Sequence, residues 1–152
     1  MSTHPSLTIV STSDAPGAIG PYSQAIKAED LLFVSGCIPI NPKTGEIVEG
    51  IEEQTAQALK NLIAVVNAGG SELGKVVKTT VFLKNMNDFV TVNGIYAAAF
   101  GSHKPARSAV EVARLPKDVL VEVECIARCV SSKPLHNNEY SLMSFSSTNS
   151  LK

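Results

Sequence analysis

The chain has 152 residues, 44% hydrophobic and 18% charged, with a formal net charge of -1 and a pI near 6.3. That length suits one domain with a real core. The balanced charge gives no general pull toward nucleic acid or an anionic membrane, and no apolar run reaches the roughly 18 residues a membrane helix needs.

Leu7 to Ser11 reads as a short strand. Asp14 to Pro21, DAPGAIGP, is a loop by its prolines and glycines. Tyr22 to Ala28 alternates weakly, Glu29-Asp30 makes a turn, and Leu31 to Val34 is an apolar run closed by Ser35-Gly36. Together these predict a hairpin. Asn41 to Gly45 is a turn by composition. A helix is expected from Ile51 to Ala68, with Ile51, Thr55, Leu59, Leu62 and Val66 on one stripe and Gly69-Gly70 as its stop. Gly69 to Lys75, GGSELGK, has the G-x-x-x-x-G-K spacing of a phosphate loop. Val76 stands where such a loop needs Ser or Thr, and the flanking elements are reversed, so nucleotide binding is not expected. Val76 to Lys84 is a strand rich in β-branched residues. Asn85 to Asn87 caps a second helix that runs to Phe100, with Phe89, Val92, Tyr96 and Ala99 as its buried stripe.

Two further strands follow, joined by a proline-containing turn. In the first, Arg107, Ala109, Glu111 and Ala113 share one face, and Val110 and Val112 share the other. In the second, Val119, Val121, Val123, Cys125, Ala127 and Cys129 form an apolar face. Leu120, Glu122, Glu124, Ile126 and Arg128 form the opposite, mixed face. If the strands are neighbours, a guanidinium and carboxylates line one concave surface. Arg107 offers a rigid fork of donors suited to a small carboxylate, and a Glu nearby is suited to orienting or deprotonating water. The same pattern also fits a solvated strand face with ion pairs. The order is β-β-β-α-β-α-β-β, which pattern alone reads as α+β: one sheet and two helices, with both helices on one face.

Cys37, Cys125 and Cys129 show no C-x-x-C spacing and read as buried free thiols in a reducing compartment. His4, His103 and His136 form no ligand pattern, so no metal is expected. The opening residues MSTHPSLTIV lack a basic start and an apolar signal core. The expected location is the cytoplasm, with the mitochondrion as the alternative.

The stretch PARSAVEVARLPKDVLVEVECIA, from Pro105 to Ala127, resembles the signature region of the RidA/YjgF family of enamine/imine deaminases. GPYSQA (Gly20 to Ala25), VSGCIPINPKTGE (Val34 to Glu46) and KNMNDFVTVNGIYAAAF (Lys84 to Phe100) resemble the family in the same order, over roughly residues 7 to 130. The resemblance implies a chorismate-mutase-like fold and a homotrimer with intersubunit clefts. It implies hydrolysis of 2-aminoacrylate and 2-iminobutyrate to 2-oxo acids and ammonia, with no metal or organic cofactor. Carried over position by position, Arg107 would hold the substrate carboxylate and Glu122 would handle water. Tyr22 would close the pocket from the neighbouring subunit's side. Asn93 would lie near the cleft, and backbone groups near Ser35, Gly36 and Ala109 would complete it. Glu124 and Glu111 are the rivals of Glu122 for proton transfer.

Two positions depart from the family pattern: Cys37 stands where Gln is common, and Ala109 where Cys is frequent. The second departure argues against a cysteine nucleophile. Other readings are a small-metabolite-binding regulatory module without catalysis and a translation inhibitor with ribonuclease activity. The scarce aromatics give an RNA surface little support. Residues 1–130 are thus expected to form the deaminase-like domain. Residues 131–152, with seven serines and three asparagines, form an extension the resemblance does not cover, expected to be disordered or loosely docked, with partner binding as the alternative.

Overall fold

A computed structural model describes residues 4–129 of the chain. The expected C-terminal extension, 131–152, lies outside the described residues. The elements are β1 (Leu7–Val10), β2 (Ala25–Ala28), β3 (Leu31–Cys37), α1 (Ile51–Ala68), β4 (Val76–Leu83), α2 (Phe89–Phe100), β5 (Ala106–Glu111) and β6 (Val121–Arg128). Their order is the one expected from the sequence, and they make one α+β domain.

The six strands form a single sheet in the order β1-β2-β3-β6-β4-β5. Every neighbouring pair is antiparallel except β4 and β5, which run parallel. That pair needs a crossover, and α2 supplies it. The last strand therefore inserts into the middle of the sheet. β5 and β6 are not neighbours, because β4 lies between them.

Both helices cover one face. α1 buries Thr55, Ala58, Leu59, Leu62, Val65 and Val66, and α2 buries Val92, Tyr96 and Phe100. They meet the alternate residues of β6, where Val121, Val123, Cys125 and Ala127 are all buried. Each fully buried Leu or Val here contributes about 1.5–3 kcal/mol. α1 ends where its chain touches β3: a Cβ on Gly69 would lie 2.5 Å from a methyl of Leu32. Gly69 to Lys75 connects α1 to β4 through a 3-10 turn at Leu73–Lys75, so the phosphate-loop spacing has no strand-to-helix context.

Among the described residues, no helix lies on the opposite sheet face. Strand register sets Ile9, Ile26, Phe33 and Ile126 in one row across it. Ile9 is 53% exposed and Phe33 43%. A second small core lies at the end of the sheet, where Ile38, Ile40, Leu115 and Val119 pack together beside Phe82. The three cysteines are free and buried. Among the described residues, no helix is long and apolar enough to cross a membrane.

Candidate active site

Alternation along each strand decides where the charged residues point. Glu122 lies between buried Val121 and Val123, so it faces away from the helices. It is registered with Phe82 on β4, and Glu124 with Thr80. Arg107 is registered with Thr79, which is fully buried and bonded to Tyr96 of α2. Arg107 therefore lies on the helix-covered side, at the edge strand. The single concave surface expected for Arg107 and the carboxylates does not form within one chain. The cause is topological: β4 separates the two strands, and the two side chains leave opposite faces of the sheet.

The expected site residues form two groups. Tyr22, Ser35, Gly36 and Glu122 line one cavity of about 270 Å³ with Ile19 and Pro116. Asn93 and Arg107 line another of about 270 Å³ with Tyr96, Phe100, His103 and Lys104. Ala109 lies two residues along β5 from Arg107, partly buried against the main core.

The Glu122 cavity is built by a break in β3. Pairing with β6 shifts register between Val34 and Cys37, which frees Ser35 and Gly36 from regular pairing. The Ser35 hydroxyl donates to the Ser23 carbonyl at 2.7 Å, and its N–H donates to the Gln24 carbonyl at 3.0 Å. Buried Asn61 holds the following segment by donating to the carbonyls of Ile38 and Ile40, each at 2.9 Å. Buried Gln24 accepts from the Thr12 N–H at 2.7 Å and donates to the Pro16 carbonyl at 2.7 Å, which pins the loop that carries Ile19. Tyr22 stays 47% exposed, its hydroxyl accepting from the Ile19 N–H at 3.2 Å.

Glu122 is half-buried, and burial first, then the Glu124 charge, pushes its carboxyl above the ordinary range. No ion pair reaches it among the described residues. Glu111 is used elsewhere: its carboxylate accepts from the Met86 N–H at 2.7 Å, at the entrance to α2. Cys37 is free and buried. Burial, with Cys125 and Glu122 adding to it, pushes its thiol well above the ordinary range, so it stays protonated. Among the described residues, no group of three or more His, Cys, Asp or Glu is placed to hold a metal ion.

Arg107 is held differently. Its guanidinium carbon lies 4.7 Å from the centroid of the Tyr96 ring and 5.8 Å from that of Phe89. The sequence marked both rings only as core. Gln24 and Asn61 went unnoticed because nothing local distinguishes a buried polar side chain from a solvated one.

Comparison with known proteins agrees with this architecture. A family model described as endoribonuclease L-PSP matches residues 12–129. A RutC family protein of Pyrococcus horikoshii is 59% identical over 120 residues, covering 78% of this chain and 95% of the relative. The 2-iminobutanoate/2-iminopropanoate deaminase of Escherichia coli is 52% identical, over 78% of this chain and 94% of its own. The crystal structure of Escherichia coli TdcF with bound serine superposes with a TM-score of 0.77 at 46% identity, covering 80% of this chain and 98% of that one.

Proposed function

The chain belongs to the endoribonuclease L-PSP (RidA/YjgF) family, and we propose that it is a hydrolytic deaminase of small 2-imino acids, with sites completed between subunits. The substrates are 2-aminoacrylate, through its imine tautomer, and 2-iminobutyrate. The products are 2-oxo acids and ammonia. Support comes from the 52% identical relative, named as such a deaminase, and from the serine bound to TdcF, which also has a carboxylate beside a nitrogen-bearing carbon.

The observation that carries the reading is Glu122. Its carboxyl is half-buried, held above the ordinary carboxylate range by burial and the Glu124 charge, and open to a cavity beside the Ser35-Gly36 bulge. A carboxyl so raised is a stronger proton acceptor than an ordinary one. As base it takes a proton from water while the oxygen bonds to the imine carbon and the C=N electron pair moves to nitrogen; passing that proton to the nitrogen gives the carbinolamine. The carboxylate then takes the carbinolamine hydroxyl proton and delivers it to the nitrogen; the C–N bond breaks as the C=O forms, and ammonia leaves. Arg107 binds the substrate carboxylate through two parallel N–H bonds and fixes where the imine carbon sits. Asn93 lines the Arg107 side, with the Ala109 backbone beyond it. Tyr22, Ser35 and Gly36 line the Glu122 side.

Since Arg107 and Glu122 leave opposite faces of one sheet, one substrate reaches both only across a subunit boundary. The assembly is a homotrimer, and the bare face with Ile9, Phe33 and Val110 is apolar surface for it to cover. An RNA substrate, as the family's description suggests, finds less support: 13 Lys+Arg stand against 14 Asp+Glu.

The test is complementation. Arg107→Ala and Glu122→Gln chains, each inactive alone, are unfolded together and refolded as a mixture. Shared sites restore activity in about a quarter of the clefts, those pairing an intact Arg107 with an intact Glu122. A mixture as inactive as its components removes the shared site. A wild-type chain that does not speed imine loss from a coupled threonine dehydratase removes the deaminase.

A further inference from the structure

We infer that Tyr96 is a positioning residue for substrate binding: its ring holds the Arg107 guanidinium in place while leaving the N–H donors free. This rests on Arg107 as the carboxylate-binding residue of the proposed deaminase.

Arg107 is only half-buried and sits on an edge strand, where a long side chain has freedom to lose. Something must fix the head group. Among the described residues no carboxylate pairs with it. An acidic neighbour would occupy the N–H fork and compete with the substrate's own carboxylate. Aromatic faces attract the cation without taking up its donors. Tyr96 is the nearer ring, at 4.7 Å against 5.8 Å for Phe89.

The ring is itself anchored. The Tyr96 hydroxyl is 2.7 Å from the Thr79 hydroxyl, and the ring stacks on Phe100 with centroids 4.3 Å apart and planes 16° from parallel. Tyr96 is 8% exposed and Thr79 fully buried. Thr79 is the β4 residue registered with Arg107. One residue pair of the sheet thus holds both the cation and the clamp on its ring.

The experiment compares full-length Tyr96→Leu, Tyr96→Phe and Arg107→Ala, with the Tyr96→Leu/Arg107→Ala double variant. It reads 2-oxobutyrate affinity by calorimetry, KM and kcat for imine hydrolysis, and melting temperature. Tyr96→Leu is expected to raise Kd and KM together by about tenfold, the span of a partly desolvated cation–π contact. Tyr96→Phe keeps the ring and is expected to recover most of that loss. In the double variant Tyr96→Leu should add nothing to Arg107→Ala, since its target is gone. Wild-type affinity in Tyr96→Leu overturns the inference. So does a loss equal in Leu and Phe that tracks melting temperature, or full additivity in the double variant. If Tyr96→Leu does not fold, Tyr96→Met replaces it, keeping apolar bulk without an aromatic face; a rise of about tenfold in Kd is expected there too, and no change overturns the inference. If wild type binds 2-oxobutyrate but hydrolyses no imine, the deaminase reading falls while the Kd series still decides the role of Tyr96.

Discussion

A Cβ built on Gly36 would lie 1.7 Å from Oε1 of Glu122 and 2.7 Å from its Cδ. The carboxyl therefore occupies space that any other residue at position 36 would fill. Gly36 is not among the glycines with positive φ, so alanine is not excluded there by backbone strain. The side chain of Glu122 must swing aside instead. Gly36→Ala is expected to fold and to lose turnover by about 10²-fold, as does Glu122→Gln, since both remove the carboxyl from its place. Kinetics beside a thermal melt check this; wild-type turnover in Gly36→Ala would show that the carboxyl's location is immaterial.

Glu122→Gln should separate chemistry from binding. Shape and polarity remain, but the proton carrier is gone. Affinity for 2-oxobutyrate is expected to survive while turnover falls by about 10²-fold or more. Wild-type turnover would move proton transfer to Glu124 or to water alone.

The same substitution has a stability signature. Burial raises the Glu122 carboxyl in the folded state, with Glu124 adding to it. A raised carboxyl favours folding while it is protonated, below its unfolded value, and that advantage is lost as pH rises through its folded value. Glu122→Gln removes the penalty of burying the charge. The variant's melting temperature relative to wild type is expected to climb from pH 4 to pH 8. A difference that is flat with pH would mean that the carboxyl titrates as an ordinary solvated group.

Arg107→Lys keeps the charge and loses the planar fork. A lysine ammonium binds as a point charge and leaves the imine carbon misplaced. The loss in kcat/KM is expected to be about 10²-fold and close to that of Arg107→Ala. Hydrolysis at the wild-type rate would sink the fork argument.

Cys37→Ser should leave most activity. The thiol is buried, burial favours its protonated form, and among the described residues it donates to the Ser35 carbonyl, at 3.5 Å. Serine fits the space at a stability cost of about 1 kcal/mol, visible as a lower melting temperature. Complete loss of activity in a folded variant would reopen covalent catalysis.

The element order and the buried faces were legible in the sequence because they are local properties. Period-two alternation from Val119 to Cys129 marks one buried face whatever the strand pairs with, and the stripe through Thr55, Leu59, Leu62 and Val66 does the same for α1. The motifs also pointed to Arg107 and Glu122. Their spatial relation was not legible. Alternation says which residues of one strand share a face, but which face that is depends on register and on where the strand enters the sheet. Here α2 carries β5 over to lie parallel beside β4, and β6 slots between β3 and β4, so Arg107 and Glu122 end on opposite sides. The holding contacts were hidden for the same reason. Tyr96 reaches Thr79 across 17 residues and Asn61 reaches Ile38 across 23, and only the folded chain brings such partners within hydrogen-bond distance.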